Sequence, residues 1–120
     1  MDAHRINLDS IRAAVEALDR IGTGNSRLMA QRAIHINVML RQVPGPDARR
    51  LKEAYNEIGA EAAVNRRVYA REERADTDMI VMGTVYQHRE VRRIMAHDPA
   101  VRLWLDAIKT VVENCEEAQE

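Results

Sequence analysis

The chain lacks phenylalanine altogether, and it has one tryptophan (Trp104) and three tyrosines in 120 residues. With so few rings, stacking on nucleic-acid bases has little to work with. The core must instead be built from Leu, Ile, Val, Ala and six Met, a palette that favours helices over sheets. A single cysteine, Cys115, excludes an internal disulfide and a thiolate metal framework, and fits a reducing compartment. No apolar run approaches the ~20 residues of a membrane span; the longest nearly continuous one is MIVMGTVY at 79–86. The opening MDAHRINLDS has neither the basic flank nor the apolar stretch of a leader, so a cytoplasmic location is expected. A net charge of −1 and a pI near 6.4 supply no global field toward nucleic acid or membrane.

What is present reads as a folded domain. Hydrophobic residues at 46% with 31% charged argue against disorder. A length of 120 residues is one domain's worth, 1–120, with the last few residues expected to fray. Leu8, Ile11, Val15 and Leu18 step by three and four, so a helix is predicted from the Asn7 cap to the GTG at 22–24. A second helix is predicted over 26–43, striped by Met29, Ala33, Ile36, Leu40 and Val43. Ile34 and Val38 lie off that stripe, so the helix is apolar on two sides, as in a bundle centre or a dimer interface. PGP at 44–46 ends it. Leu51, Tyr55, Ile58, Ala62 and Tyr69 predict a third helix over 46–75, with ADTD at 75–78 the one plausible break. Asn65 is a polar misfit on its inner face, where a buried amide would fix register. The last helix, 99–116, follows the Asp98 cap and Pro99, with Val101, Trp104, Leu105, Ile108, Val112 and Cys115 on one face. The expectation is a compact all-α bundle of four to five helices; the alternative is an α/β fold with a strand at 79–86.

That alternative rests on DMIVMGTVY, rich in strand-favouring residues and weakened as a helix by Gly83. The segment ADTDMIVMGT resembles a strand of the universal stress protein family, which follows a helix there as it would follow VNRRVYAREER here. The resemblance covers about ten residues and implies a strand. The glycine-rich phosphate loop of that family should come next, yet VYQHREVRRIM contains no glycine, so no nucleotide-site residue is carried over.

Charge is unevenly spread. Sixteen of eighteen basic residues are arginine, whose planar fork suits phosphates, carboxylates and interface ion pairs. Residues 23–46 hold Arg27, Arg32 and Arg41 and no acid, whereas 98–120 hold six acids against two bases. Arg66, Arg67, Arg71 and Arg74, with His88, Arg89, Arg92 and Arg93 on the next element, are the candidate anion- or partner-binding residues. On helices they would form one ridge; otherwise they would pair with Glu16, Asp19 or the acidic last helix. No catalytic residue, metal site or cofactor is expected: the histidines lack ligand spacing, and Cys115 sits among glutamates that would hold it as a thiol. Glu53, Glu57 and Glu61 step by four, a ladder able to take Mg²⁺ with phosphates.

The function expected is a non-enzymatic binding or regulatory module acting through protein contacts as a homodimer, with an acidic protein as a further partner. An arginine-clamped nucleotide or phosphate ligand is the second reading, and a metal-dependent nucleotide hydrolase the third. Nucleic acid and membrane are not expected partners.

Overall fold

A computed structural model describes residues 1–69 and 75–119, with side chains up to Glu116. The chain is not an all-α helical bundle. Its elements run α1 (Ile11–Ile21), α2 (Ser26–Ala30), β1 (His35–Val43), α3 (Gly45–Glu57), β2 (Glu61–Val64), a 3₁₀ turn (Arg66–Tyr69), β3 (Thr77–Thr84), α4 (Val85–Ile94), a second 3₁₀ turn (Pro99–Val101) and α5 (Arg102–Gln119). The three strands form one antiparallel sheet in the order β1-β3-β2. Both outer strands oppose β3, so β1 and β2 run parallel to each other across it, joined by α3.

The expected helix over 26–43 is a helix only through Ala30. Ile34, Ile36, Val38 and Leu40 are 7% exposed or less, and His35, Asn37, Met39 and Arg41 between them are exposed. On a helix those four apolar residues face two ways. At the period of two of a strand they share one face, so the two-sided pattern was strand alternation. The expected helix over 46–75 ends at Glu57. Gly59 takes the left-handed conformation (φ 80°), its N–H donates to the Asn56 carbonyl (3.1 Å), and the Ala60 N–H donates to the Tyr55 carbonyl (2.9 Å). These are the two bonds of a Schellman stop. Beyond it, Glu61–Val64 pairs with β3.

β3 is the strand held as the alternative, placed at Thr77–Thr84; Val85 and Tyr86 instead open α4. Its end is set by a reciprocal cap. The Gln87 N–H donates to Thr84 Oγ1 (3.1 Å), and the Thr84 N–H donates to Gln87 Oε1 (2.9 Å). A Cβ at Gly83 would lie 3.2 Å from both Cβ and Oε1 of Gln87, which accounts for a glycine inside a central strand.

α1 begins at Ile11, capped by Ser10, whose hydroxyl accepts from the Ala13 N–H (3.0 Å), and stops at Gly22 (φ 86°). Leu8 packs on the core from outside that helix. The Asp98 carboxylate caps the turn that leads into α5 by accepting from the Ala100 N–H (3.0 Å). That turn buries Val101, and α5 buries Leu105, Ile108 and Val112, with Trp104 and Cys115 half-buried beside them. One apolar cluster joins the inner sheet residues Val38, Leu40, Ala62, Met79 and Val81 to Leu51 and Tyr55 of α3, Val85 and Val91 of α4, and α5. Among the described residues, the helix–sheet packing therefore lies on one side of the sheet. No described helix is long and apolar enough to cross a membrane.

Candidate functional site

Among the described residues, no helix lies over the other side of the sheet. Alternation puts His35, Asn37, Met39 and Arg41 of β1, Asp78, Ile80, Met82 and Thr84 of β3, and Glu61 and Ala63 of β2 there. The register aligns Met39, Ile80 and Ala63 in one apolar row, with Asn37, Met82 and Glu61 in the next. Met39 is 47% exposed, and Ile80 and Met82 are half-buried. A groove of about 620 Å³ continues from this row to the polar end of the sheet, where Asn65, Asp76 and Asp78 line it. Gln42 shapes that end: at φ 52° it bulges out of β1, and its N–H donates to Asp78 Oδ1 (3.0 Å), with Arg41 Nη1 donating to Oδ2 (3.4 Å).

The two edges of the sheet are finished differently. The Val85 N–H donates to the Ile34 carbonyl (3.0 Å), so by antiparallel alternation Ile36, Val38 and Leu40 also turn their N–H and C=O toward β3. The backbone groups of His35, Asn37, Met39 and Arg41 then point outward, and none has a hydrogen-bond partner among the described residues. On the β2 edge Ala62 and Val64 turn outward, and both groups of Ala62 are occupied. Its N–H donates to Glu61 Oε1 (2.8 Å), and its carbonyl accepts from Lys52 Nζ (2.6 Å), which also bonds Glu61 Oε1 (2.9 Å). The Lys52 ammonium and the Ala62 N–H hold the Glu61 carboxyl below its ordinary range. A charged clip thus blunts β2 at Ala62, while β1 is left open over seven residues.

The arginines expected to form one ridge are separated. Arg66 and Arg67 are exposed in the turn after β2, beside Thr77, whereas α4 leaves β3 at Thr84, about 23 Å away along the strand. Arg71 and Arg74 lie outside the described residues. On α4 the charges are taken up by acids: Arg89 bonds both oxygens of Glu116 (2.9 and 3.1 Å), Arg92 bonds Asp106 (2.8 Å) and Arg93 bonds Glu90 (2.8 Å). Such exposed pairs contribute about 0–1 kcal/mol each; the Arg89 and Arg92 pairs clamp α4 to the acidic α5, while Arg93–Glu90 lies within α4. Asn65 is exposed rather than inward. Its side-chain oxygen accepts from the Arg67 N–H (2.9 Å) in an Asx turn, and its N–H donates to Thr77 Oγ1 (2.9 Å). The glutamate ladder is broken, since Glu53 and Glu57 lie exposed on α3 and Glu61 belongs to β2. No group of three potential metal ligands occurs among the described residues.

His88 is a core residue, 4% exposed. Its Nε2 lies 2.7 Å from the Ile36 carbonyl, which can only accept, so Nε2 carries the proton. Nδ1 is then the acceptor, and the Tyr55 hydroxyl donates to it at 2.7 Å. Burial pushes the Tyr55 phenol far above its ordinary value and holds His88 below the ordinary imidazole value. The spacing Val85, His88, Val91 is the signal that marks His88 as inward. A consequence follows for pH. The unfolded chain takes up a proton on His88 near pH 6.5, the folded chain only at lower pH. The stability tied to neutral His88 is therefore intact above about pH 6.5 and is lost as pH falls through the folded value. Urea unfolding from pH 7.5 to 5 should show that decline, and His88→Leu should flatten it; an unchanged slope in the variant would contradict the assignment.

No family model, no curated protein and no solved structure matches this chain.

Proposed function

We propose that the chain is a non-enzymatic, protein-binding module whose working surface is the uncovered side of the sheet together with the β1 edge, and that it acts as a homodimer. One observation carries the reading: among the described residues nothing covers the apolar row Met39, Ile80 and Ala63, on a sheet whose other face is packed by helices. Single exposed apolar residues are ordinary, but a contiguous row beside unpaired backbone is the make-up of a contact surface. A half-buried Cys115 with no partner cysteine fits the reducing cytoplasm as its setting. The arginines are secondary in this reading, because those of α4 already have acids and Arg66 and Arg67 lie away from the row.

The test is site-specific photo-cross-linking in the producing cell. A photoreactive residue at Met39 should give a discrete covalent protein adduct, and one at Leu103, which is 82% exposed on α5, should not. Equal labelling at both positions, or none at Met39, would sink the reading.

A further inference from the structure

We infer that the occupant of the open β1 edge is β1 of a second copy, paired antiparallel about a two-fold axis at Met39, so that two three-stranded sheets become one of six strands. The inference rests on the contact-surface reading and names its first partner.

Three observations select this occupant. Outward backbone groups at Asn37, Met39 and Arg41 demand an extended strand, and the bulge at Gln42 closes the run, leaving a short straight segment. Pairing about Met39 sets Met39 against its own copy and Asn37 against Arg41 of the second chain, using three outward pairs and about six backbone hydrogen bonds. The side-chain rows then match. Ala63, Ile80 and Met39 meet the same three residues of the copy in reverse order, giving one apolar row across the joined sheet.

Charge agrees with the antiparallel sense. β1 carries one arginine and no acid, so parallel pairing would set Arg41 beside its copy. In the antiparallel register the two lie on opposite sides of the axis, about 14 Å apart at 3.4 Å per residue, beyond the ~8 Å screening length at physiological salt. Each guanidinium, still beside its own Asp78 (3.4 Å), stands opposite the neutral Asn37 amide, whose oxygen already accepts from His35 Nε2 (2.9 Å) and has a second lone pair to offer.

The register supplies its own test. Directly opposed residues of a hydrogen-bonded antiparallel pair have Cα atoms about 5.5 Å apart, within disulfide reach. In a Cys115→Ser background, Met39→Cys should convert to a covalent dimer under mild oxidation. Arg41→Cys alone should not, while an equal mixture of Asn37→Cys and Arg41→Cys chains should cross-link to each other. Sedimentation of the native chain should give twice the 13.7 kDa mass. Met39→Pro, which removes an N–H that β3 does not use, should give a folded monomer. If that variant fails to fold, Met39→Lys sets two like charges at the axis and should raise the dimer dissociation constant at least tenfold. A native dimer without the Met39 disulfide overturns the register and leaves the contact-surface reading standing. A native monomer that still cross-links another protein through Met39 overturns the self-pairing alone.

Discussion

Replacing His88 with alanine should destabilise the protein by about 3–5 kcal/mol, because two costs fall on one site. The Tyr55 hydroxyl would be left buried without an acceptor, at about 1–3 kcal/mol. Removing a packed ring adds a transfer and cavity cost of about 2 kcal/mol. The His88 side chain ties three elements together: it stands on α4, receives the Tyr55 hydroxyl from α3 and donates to the Ile36 carbonyl of β1. Tyr55→Phe should cost less, about 1–2 kcal/mol, since it strips only the donor from Nδ1. Combined with His88→Leu it removes both halves of the bond, so the double variant should be more stable than the sum of the singles by at least ~1 kcal/mol. Urea unfolding at one fixed protein concentration measures the cycle, since self-association would otherwise shift the midpoints. Strict additivity would mean that the bond has no energetic weight.

Val81→Asp should abolish folding, and Ile80→Asp next to it should not. Val81 is fully buried in the central strand, between Val38 and Ala62 and beneath the helices. A carboxylate there has no partner, and isolated buried charges produce losses above about 4–5 kcal/mol, comparable with the whole stability of a small domain. Ile80 points to the uncovered side, where its half-exposed position lets an aspartate reach water at about 1 kcal/mol. The sharp contrast between neighbours is a property of a strand with one packed face. Circular dichroism and thermal melts of the two variants suffice. Equal damage from both would mean that the uncovered side is part of the core.

How much of this was legible in the chain can be argued from a few residues. The last helix was: Asp98, Pro99 and a clean stripe from Val101 to Cys115 are local signals, and nothing tertiary overrides them. β3 was half legible, because Ile80, Val81 and Thr84 favour a strand, while the one candidate partner, IHINVML at 34–40, also fits a helix. That partner, β1, carries its alternation openly in Ile34, Ile36, Val38 and Leu40, but Ile36 and Leu40 also fill a three-and-four pattern with Met29, Ala33 and Val43. Apolar residues every second place over so short a run satisfy both templates in part, and length did not arbitrate. Gly59 is the local signal for the stop. A lone glycine is tolerable in a helix, but here it sits in the left-handed conformation and ends α3, so the stripe through Ala62 and Tyr69 was a coincidence across a turn.

The candidate surface was less legible still. Arginine is dense at 66–74 and 88–93, but the acids that answer Arg89 and Arg92 lie 27 and 14 residues further on, in α5. Burial of His88 depends on how α3, α4 and β1 meet, which sequence spacing hints at and packing decides. The uncovered row could not be read before the strands were known, since Met39, Ile80 and Ala63 are far apart in the chain and become neighbours only through register.

Hydrogen exchange at individual amides tests the central claim most directly. The N–H groups of Asn37, Met39 and Arg41 should exchange slowly in concentrated protein and speed up on dilution below the dimer dissociation constant, while those of Val38 and Leu40, bonded to β3, stay protected throughout. Fast exchange at Asn37, Met39 and Arg41 at every concentration would mean that the edge stays open, and would contradict the account.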